Sequence, residues 1–147
     1  GLDFGNRVHA CFESVQWWEG ELAWQGDETV RNLVLECIKA PSIAPYFEYR
    51  EGFKVYREQA IEAIVDGVWS SGVIDRLLIS YDKKGGIDNI AIIDFKTDIV
   101  TDKQELKEIY RAQIEQYKLM LASVYPIKID FIYGVLISTH LKSSCVL

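Results

Sequence analysis

The sequence predicts a fold of the α/β class, in the α+β arrangement, with helices packed against one mixed β-sheet. Apolar residues recur at helical spacing between Leu2 and Ala40, and from Phe53 onwards they alternate as they do along strands. A long amphipathic stretch, Lys103–Val124, then leads to a last alternating segment, Ile127–Ser138. A strand, a helix and a returning strand in this order indicate a right-handed crossover, which joins parallel strands.

Two helices are expected to precede the sheet, Leu2–Gly20 and Asp27–Ala40, with Asp27 as the N-cap of the second. Tyr46–Glu51 is expected to form a short third helix. The predicted buried stripes are Phe4, Val8, Cys11, Phe12, Val15 and Trp18 in the first helix, and Val30, Leu33, Val34, Cys37 and Ile38 in the second.

Three strands are expected between Phe53 and Lys96. Phe53–Val65 alternates loosely, with Tyr56, Glu58 and Ala60 on one face, and the turn signal Asp66-Gly67 leads into Val68–Ser70. The stretch Gly72–Asp98 contains two further alternating segments joined by a polar connection with paired glycines. Their alternating residues are Val73, Asp75, Leu77 and Ile79 in the first segment and Ile90, Ile92, Asp94 and Lys96 in the second.

The hairpin formed by those two segments is a candidate metal site. Antiparallel pairing about a turn centred between Lys84 and Gly85 places Asp75 opposite Asp94, with Cβ atoms ~4.5–5.5 Å apart. Two carboxylates this close repel each other unless a cation lies between them, and oxygen ligands suit Mg²⁺ or Mn²⁺. Lys96 shares the face of Asp94 because side chains repeat every two residues along a strand. Without a metal ion, the lysine and the two carboxylates could also form a self-satisfied ion cluster.

Other residues have both a structural and a functional interpretation. His9 lies at the margin of the first helical stripe, where packing and metal ligation are both open. Glu58 could lean towards the metal site or face solvent. Gln113 lies with Tyr117 in the expected inward stripe of Lys103–Val124, where its amide either finds a partner in the core or reaches the site. That stripe comprises Leu106, Ile109, Tyr110, Gln113, Ile114, Tyr117, Met120, Leu121 and Val124. The aromatic residues Trp17, Trp18, Trp24, Tyr46, Phe47 and Tyr49 could stack on bases or, more simply, pack between helices.

Composition restricts the class of protein. The 147 residues are 49% hydrophobic and 26% charged, which is typical of one folded domain and not of a disordered chain. A net charge of −6 argues against a basic nucleic-acid coat protein but not against an enzyme that acts on nucleic acid. No apolar segment approaches the ~20 residues of a transmembrane helix, and the sequence shows neither a signal peptide nor a phosphate-binding glycine loop.

The cysteines and the first residue give two further expectations. Cys11, Cys37 and Cys145 have no metal-type spacing and indicate reduced thiols in a cytosolic setting. The chain begins with Gly1 and its single methionine is Met120, so we expect a domain excised from a longer protein.

Four segments occur in an order that resembles a known family: GNRVH near the start, GVIDRLL, IIDFKTD and YRAQIEQY. Together they resemble the RecB-type nuclease domain of the PD-(D/E)XK superfamily, over roughly Gly5 to Tyr117. The resemblance implies a restriction-endonuclease-like αβββαβ core, a mixed central sheet flanked by helices, and extra N-terminal helices, all within one nuclease domain, residues 1–147. Such domains typically stand at the C-terminal end of bacterial helicase–nucleases.

The resemblance also implies roles for individual residues. His9, Asp75 and Asp94 correspond to the metal ligands, together with the backbone carbonyl of Phe95, and Lys96 corresponds to the catalytic lysine that acts with Asp75 and Asp94. Gln113 and Tyr117 match the Q-x-x-x-Y element, which supports the active site and the nucleic-acid backbone. Glu58 stands in the strand where relatives often carry a glutamate.

The implied cofactor is Mg²⁺, with Mn²⁺ as a substitute. Some relatives hold an iron–sulfur cluster with four cysteines; three scattered cysteines cannot supply it, so no cluster is expected.

The implied function is that of a Mg²⁺-dependent deoxyribonuclease that works as an exonuclease in DNA repair and recombination. Its partners would be single-stranded DNA or duplex ends and a helicase domain in the same parent chain or complex, in the bacterial cytoplasm and without a membrane. The alternative is a catalytically silent nuclease fold that binds DNA or braces a partner helicase subunit.

Overall fold

The computed structural model describes residues 2–147, which form three α-helices and five β-strands. The helices are α1 (Leu2–Glu13), α2 (Glu28–Lys39) and α3 (Lys103–Val124). The strands are β1 (Phe53–Val65), β2 (Val68–Tyr81), β3 (Ile87–Lys96), β4 (Ile132–Ser138) and β5 (Ser143–Val146). Two short 3₁₀ turns, Ala44–Tyr46 and Ile129–Phe131, lie between these elements.

The five strands form one mixed sheet in the order β1-β2-β3-β4-β5. Neighbouring strands are antiparallel except for β3 and β4, which run parallel and are joined through α3. This arrangement confirms the predicted α+β class and the mixed sheet, and the elements from α2 to β4 follow the predicted αβββαβ order.

Helices cover both faces of the sheet. On one face, α1 and α2 pack on Leu78, Ala91, Ile93 and Phe95 to form a first core. On the other face, α3 packs on Leu77, Ile79, Ile90 and Ile92 to form a second core. Successive residues in the middle of β2 and β3 enter opposite cores, so residues 77–79 and 90–93 are buried on both faces of the sheet. None of the helices in residues 2–147 combines the length and the apolar character that a membrane crossing requires.

The predicted bounds of α2, β1 and α3 are correct to within one residue, and local chemistry explains each of them. The side chain of Asp27 accepts a hydrogen bond from the backbone N–H of Val30, as an N-cap does. Asp102 caps α3 in the same way through the N–H of Glu105, whose carboxylate accepts from the N–H of Thr101. Asp66 and Gly67 both have positive φ, which suits the two-residue turn between β1 and β2.

Several predicted elements differ in the structure. The first helix ends at Glu13 and not at Gly20, because the backbone carbonyls of Val15 and Gln16 accept hydrogen bonds from Arg76 instead of continuing the helix. Tyr46–Glu51 is not a helix; only the 3₁₀ turn Ala44–Tyr46 forms there.

The last strand also differs from its prediction. It begins at Ile132 and not at Ile127, since Ile129–Phe131 forms a 3₁₀ turn. Val68–Ser70 is not a separate segment but the start of the 14-residue strand β2. The short strand β5 was not predicted.

The expected inward stripe of α3 is only partly correct. Leu106, Ile114, Met120 and Leu121 are buried, whereas Ile109 and Val124 are each 52% exposed. Gln113 is exposed as well. The helix therefore has a narrower apolar face than its sequence indicates, because α3 covers the sheet with one side only.

Candidate metal centre

Three side chains from separate elements converge near the end of β3. His9 comes from α1, Asp75 from β2 and Asp94 from β3. One potential ligand atom of each lies within 4.8 Å of the corresponding atoms of the other two. The β2–β3 register explains the carboxylates: Arg76 pairs with Ile93 and Leu77 with Ile92, and the same register extended by one residue places Asp75 opposite Asp94, as predicted.

The imidazole of His9 is held at both nitrogens. Its Nδ1 lies 2.8 Å from the backbone oxygen of Gly5, one helical turn earlier, and its Nε2 lies 3.2 Å from Oδ2 of Asp75. The hydrogen bond with Asp75 raises the pKa of His9 to about 9, although burial acts in the opposite direction. A metal-binding histidine commonly donates its second N–H to a backbone carbonyl, so Nε2 is the nitrogen oriented for ligation.

The carboxylate of Asp75 is fixed through one of its oxygens. Oδ2 accepts a hydrogen bond from the backbone N–H of Phe95 at 2.9 Å in addition to its contact with His9. Burial alone would raise the pKa of Asp75, but the hydrogen bonds with His9 and Asp94 outweigh it and lower that pKa. Asp75 is therefore the group of this site that stays ionised.

Asp94 is the least solvated member, with 7% of its surface exposed. Burial first, and then the hydrogen bond and charge of Asp75, raise the pKa of Asp94 to about 7, and Lys96 only partly offsets this. Two buried carboxylates in contact disfavour each other's ionisation. Asp94 is therefore the acid of this pair that takes up a proton first as the pH falls.

Lys96 lies beside Asp94 and contacts three groups. Its Nζ is 3.1 Å from Oδ2 of Asp94 and 3.2 Å from Oε1 of Gln113, and it lies over the ring of Tyr110, 3.8 Å from the centroid. Gln113 thus reaches the site, and it does so from the surface of α3 and not from the core. The amide is therefore not a satisfied core group, and its partner is the ammonium of Lys96.

Tyr117 and Glu58 lie near the site without joining the ligand group. The hydroxyl of Tyr117 donates to the backbone oxygen of Val73 at 3.3 Å, so this side chain braces β2 two residues before Asp75. Glu58 lines an open cavity of about 340 Å³ together with Asn6, His9 and Asp75. Burial and then the charge of Asp75 raise the pKa of Glu58. Glu58 has a φ of +47°, which interrupts the strand alternation.

Because of that interruption, the prediction that Tyr56, Glu58 and Ala60 share one face of β1 is wrong. Tyr56 packs against the second core, whereas Glu58 and Ala60 are exposed, so the three residues do not share one face.

The aromatic residues near the N-terminus mostly follow the structural interpretation. Trp17, Trp18, Trp24 and Tyr46 pack against the first core, and Phe47 lies within it. Tyr49 is 66% exposed and meets Trp17 edge to face. None of these side chains lines the cavity that leads to His9 and Asp75.

Three residues of the surroundings were not singled out by the sequence. Tyr110 and Asp98 form a hydrogen-bonded pair beside Lys96. The spacing indicates that both lie near the site. Tyr110 precedes Gln113 by three residues and so shares its face of α3, and Asp98 follows Lys96 by two residues. Arg76, next to Asp75, gave no signal, since a lone arginine in an apolar strand has no predictable partner.

Arg76 is 1% exposed and has only backbone oxygens as hydrogen-bond acceptors. Its guanidinium donates to the carbonyls of Tyr46, Val15 and Gln16 and lies 4.3 Å from the centroid of the Phe47 ring. Burial lowers the pKa of Arg76 to about 9, so the group is still a cation at neutral pH. It ties the segment after α1 to β2 at the residue adjacent to Asp75.

The donor set suits a divalent ion. One imidazole nitrogen and two carboxylates form a mixed N/O group of the type that Mn²⁺ and Mg²⁺ accept with additional water ligands. Burial and then the neighbouring Asp75 raise the pKa of Asp94, and a divalent cation would stabilise both carboxylates in their ionised form. His9, Asp75 and Asp94 therefore form a donor set that a divalent ion could use.

A scan against protein-family models and a search of curated proteins gave no match for this chain.

Proposed function

We propose that this chain is a metal-dependent deoxyribonuclease domain of the RecB type, which hydrolyses phosphodiester bonds in DNA. The observation that carries the proposal is the convergence of His9, Asp75 and Asp94 within 4.8 Å, with the ammonium of Lys96 3.1 Å from Asp94. An imidazole, two carboxylates and a lysine are the groups needed to hold a divalent ion next to a phosphodiester and to balance charge there.

His9 would contribute Nε2, Asp75 its Oδ1 atom and Asp94 its carboxylate to the ion, with the carbonyl of Phe95 as a further ligand. A bound divalent ion supplies Lewis-acid polarisation of the phosphate and activation of a water molecule. Asp75 is already oriented for this role, since its Oδ2 accepts the backbone N–H of Phe95. Nε2 of His9 would exchange its present contact with Oδ2 of Asp75 for the ion.

Lys96 orients the attacking water and stabilises the negative charge that grows on the phosphoryl oxygens. Gln113 accepts one hydrogen bond from the ammonium of Lys96 at 3.2 Å. The other N–H groups of that ammonium stay free for Asp94, the water or the phosphate. Tyr117 acts at a distance from the reacting atoms, by holding β2 through the backbone of Val73.

The substrate would approach from the cavity lined by Asn6, His9, Glu58 and Asp75, which opens to solvent. The two glutamates of this cavity, Glu13 and Glu58, make it acidic, so a DNA strand requires the divalent ion for binding as well as for cleavage. We place the domain in a bacterial helicase–nuclease of the cytoplasm, where the helicase delivers single-stranded DNA or duplex ends for exonucleolytic repair and recombination.

Cleavage of end-labelled linear DNA tests the proposal. Single-stranded and duplex substrates are incubated with the chain and Mg²⁺ or Mn²⁺, beside the variants Asp94→Asn and Lys96→Met. Matched controls are Asp88→Asn, an exposed aspartate of β3, and Lys54→Met, an exposed lysine of β1. We expect cutting by the wild type and both controls, and a loss of about 10²-fold or more in each site variant.

Two outcomes would contradict the proposal. Equal cutting by the wild type and Lys96→Met would exclude the site. Metal-dependent DNA binding without any cutting would favour a silent nuclease fold that binds DNA or braces a helicase subunit.

A further inference from the structure

A tyrosine with no assigned role lies against the ammonium of Lys96, and an aspartate accepts the hydrogen bond of its hydroxyl. The hydroxyl of Tyr110 is 2.8 Å from both carboxylate oxygens of Asp98. The ring of the same tyrosine faces Nζ of Lys96 at 3.8 Å from its centroid. Tyr110 belongs to α3 and Asp98 to the segment that follows β3, so the pair connects the helix to the end of the strand that carries Asp94 and Lys96.

The contact between the lysine and the ring is close and partly desolvated. Only 13% of the Lys96 side chain is exposed, and a cation over an aromatic face is stabilised more strongly when water is excluded. A second lysine–tyrosine pair, Lys54 and Tyr81 on strands β1 and β2, has a longer distance of 5.4 Å. It provides an internal comparison remote from the site.

Asp98 fixes the orientation of the Tyr110 ring. A phenol that donates to a carboxylate is anchored at its outer end, and the hydrogen bond also makes the ring more electron-rich, which strengthens its attraction for a cation. Burial and then the hydrogen bond with Asp98 raise the pKa of Tyr110, so the phenol keeps its proton across the working range.

The difference between Tyr110 and the other partners of Lys96 appears when a divalent ion is present. An ion bound by Asp94 would compete with Lys96 for the same carboxylate and would weaken the 3.1 Å ion pair. The ring is neutral and cannot ligate the ion, so its hold on the ammonium persists. Gln113 contributes one further hydrogen bond, but it is exposed to competing water.

We propose that Tyr110, anchored by Asp98, is a positioning residue that keeps the ammonium of Lys96 at the reacting phosphate when Asp94 is engaged by the metal ion. This inference rests on the proposed nuclease function. Tyr110 contacts neither the metal ligands nor the substrate, and it acts through Lys96. Its loss therefore lowers kcat and leaves KM for DNA and the affinity for Mn²⁺ unchanged.

The test combines NMR with kinetics. In the wild type, the ring current of Tyr110 shifts the ε-protons of Lys96 upfield. Tyr110→Leu abolishes that shift and lowers kcat by about 10- to 100-fold, as a misplaced catalytic group does. Tyr110→Phe keeps the ring but not the anchor, so it and Asp98→Asn give smaller losses in both measurements. Tyr81→Leu, which removes the ring facing Lys54, changes neither the Lys96 resonances nor kcat.

The outcomes separate this inference from the proposed function. A wild type that cuts DNA through Lys96, together with full kcat in Tyr110→Leu, overturns the positioning role alone. Unshifted ε-protons of Lys96 in the wild type also overturn it. A wild type that cuts no DNA overturns both proposals. If Tyr110→Leu does not fold, Tyr110→Phe and Asp98→Asn decide between these outcomes.

Discussion

Nε2 of His9 and Oδ2 of Asp75 lie 3.2 Å apart and join the first helix to the second strand at the candidate metal centre. The same carboxylate oxygen accepts the backbone N–H of Phe95 from the third strand. One aspartate therefore links three elements that are distant in sequence. The arrangement of the site depends on the docking of α1 as much as on the β2–β3 hairpin.

Asp94→Asn is expected to stabilise the metal-free protein at pH 8 while lowering the proposed nuclease activity by about 10²-fold or more. The folded state raises the pKa of Asp94 from 3.8 to about 7. Between these two pH values the folded state binds more protons than the unfolded state, so stability falls as the pH rises and the loss is nearly complete at pH 8. The neutral amide removes that loss, and we expect a gain of about 1–3 kcal/mol in the free energy of unfolding. Denaturant unfolding in the presence of a chelator measures it.

With the metal ion present, we expect the wild type to be more stable than Asp94→Asn. Mn²⁺ raises the melting temperature of the wild type, because it binds the folded state only, and has a much smaller effect on Asp94→Asn. Asp88→Asn, an exposed change on the same strand, serves as the control and behaves like the wild type in both conditions. If Mn²⁺ does not change the melting temperature of the wild type, then His9, Asp75 and Asp94 do not bind it.

The apparent affinity for Mn²⁺ is expected to rise between about pH 6 and pH 9. His9, with a pKa of about 9, and Asp94, with a pKa of about 7, carry protons at the lower pH that the ion must displace. Each displaced proton contributes up to about tenfold in affinity per pH unit. Calorimetric titration in buffers of different ionisation enthalpy measures the number of protons released.

His9→Ala separates the contributions of His9 and Asp94 to the pH dependence of the Mn²⁺ affinity. Above pH 7 the remaining slope comes from His9, so the variant binds more weakly and its affinity levels off at lower pH than that of the wild type. In the metal-free protein the ion pair with Asp75 contributes stability that is complete below 6.5, the ordinary pKa of a histidine, and is lost as the pH rises through about 9. A pH-independent affinity in the wild type would contradict both assignments.

The sequence predicted the relative placement of Asp75, Asp94 and Lys96 correctly, because local rules determine it. The alternation of β2 and β3 and the glycine-containing turn are enough to place Asp75 opposite Asp94, because a one-residue slip would turn every apolar side chain of the strand outwards. Side-chain periodicity likewise places Lys96 on the face of Asp94. The resemblance to RecB-type nucleases added His9, whose helical pattern alone left packing and ligation open.

Tertiary contacts determine the features that the sequence did not predict, namely the end of the first helix and the exposure of Gln113. The first helix ends early because Arg76, from a strand far along the chain, takes the carbonyls of Val15 and Gln16. Gln113 belongs to an apolar stripe by spacing, yet α3 presents it to solvent, where it meets Lys96. Neither contact has a local signal, since both depend on how the helices dock on the sheet.

Arg76→Met is expected to destabilise the fold by about 2–4 kcal/mol, because three backbone carbonyls lose their donor and the replacement supplies none. The released segment after α1 also loosens His9, so the affinity for Mn²⁺ falls. Chemical denaturation measures the first effect and metal titration the second.

Arg57→Met is the matched control for that change. Arg57 is the cross-strand neighbour of Arg76 on β1, but it is exposed and donates to a single carbonyl, that of Glu13. We expect a loss of at most about 1 kcal/mol. Equal losses in the two variants would mean that the buried guanidinium has no special structural role.

Gly72→Ala tests whether the glycine of GVIDR makes room for Tyr117. A Cβ at this position would lie 2.7 Å from Cε1 and 3.2 Å from the hydroxyl oxygen of Tyr117. The ring must therefore move, which breaks its hydrogen bond to Val73 and costs about 1–3 kcal/mol. Thermal unfolding measures this loss. Because β2 carries Asp75, we also expect the proposed nuclease activity to fall in this variant.

The double variant Gly72→Ala/Tyr117→Leu shows whether the two positions are coupled. Leucine removes both the hydroxyl and the crowded ring edge, so adding the alanine in this background costs much less than in the wild type, as expected for side chains in direct contact. Gly134→Ala provides a second measure of crowding, since its Cβ meets Ile114 in the same core but leaves Tyr117 in place. If the two glycine variants lose equal stability but only Gly72→Ala loses activity, the effect on activity comes from the position of β2 and not from the weakened core.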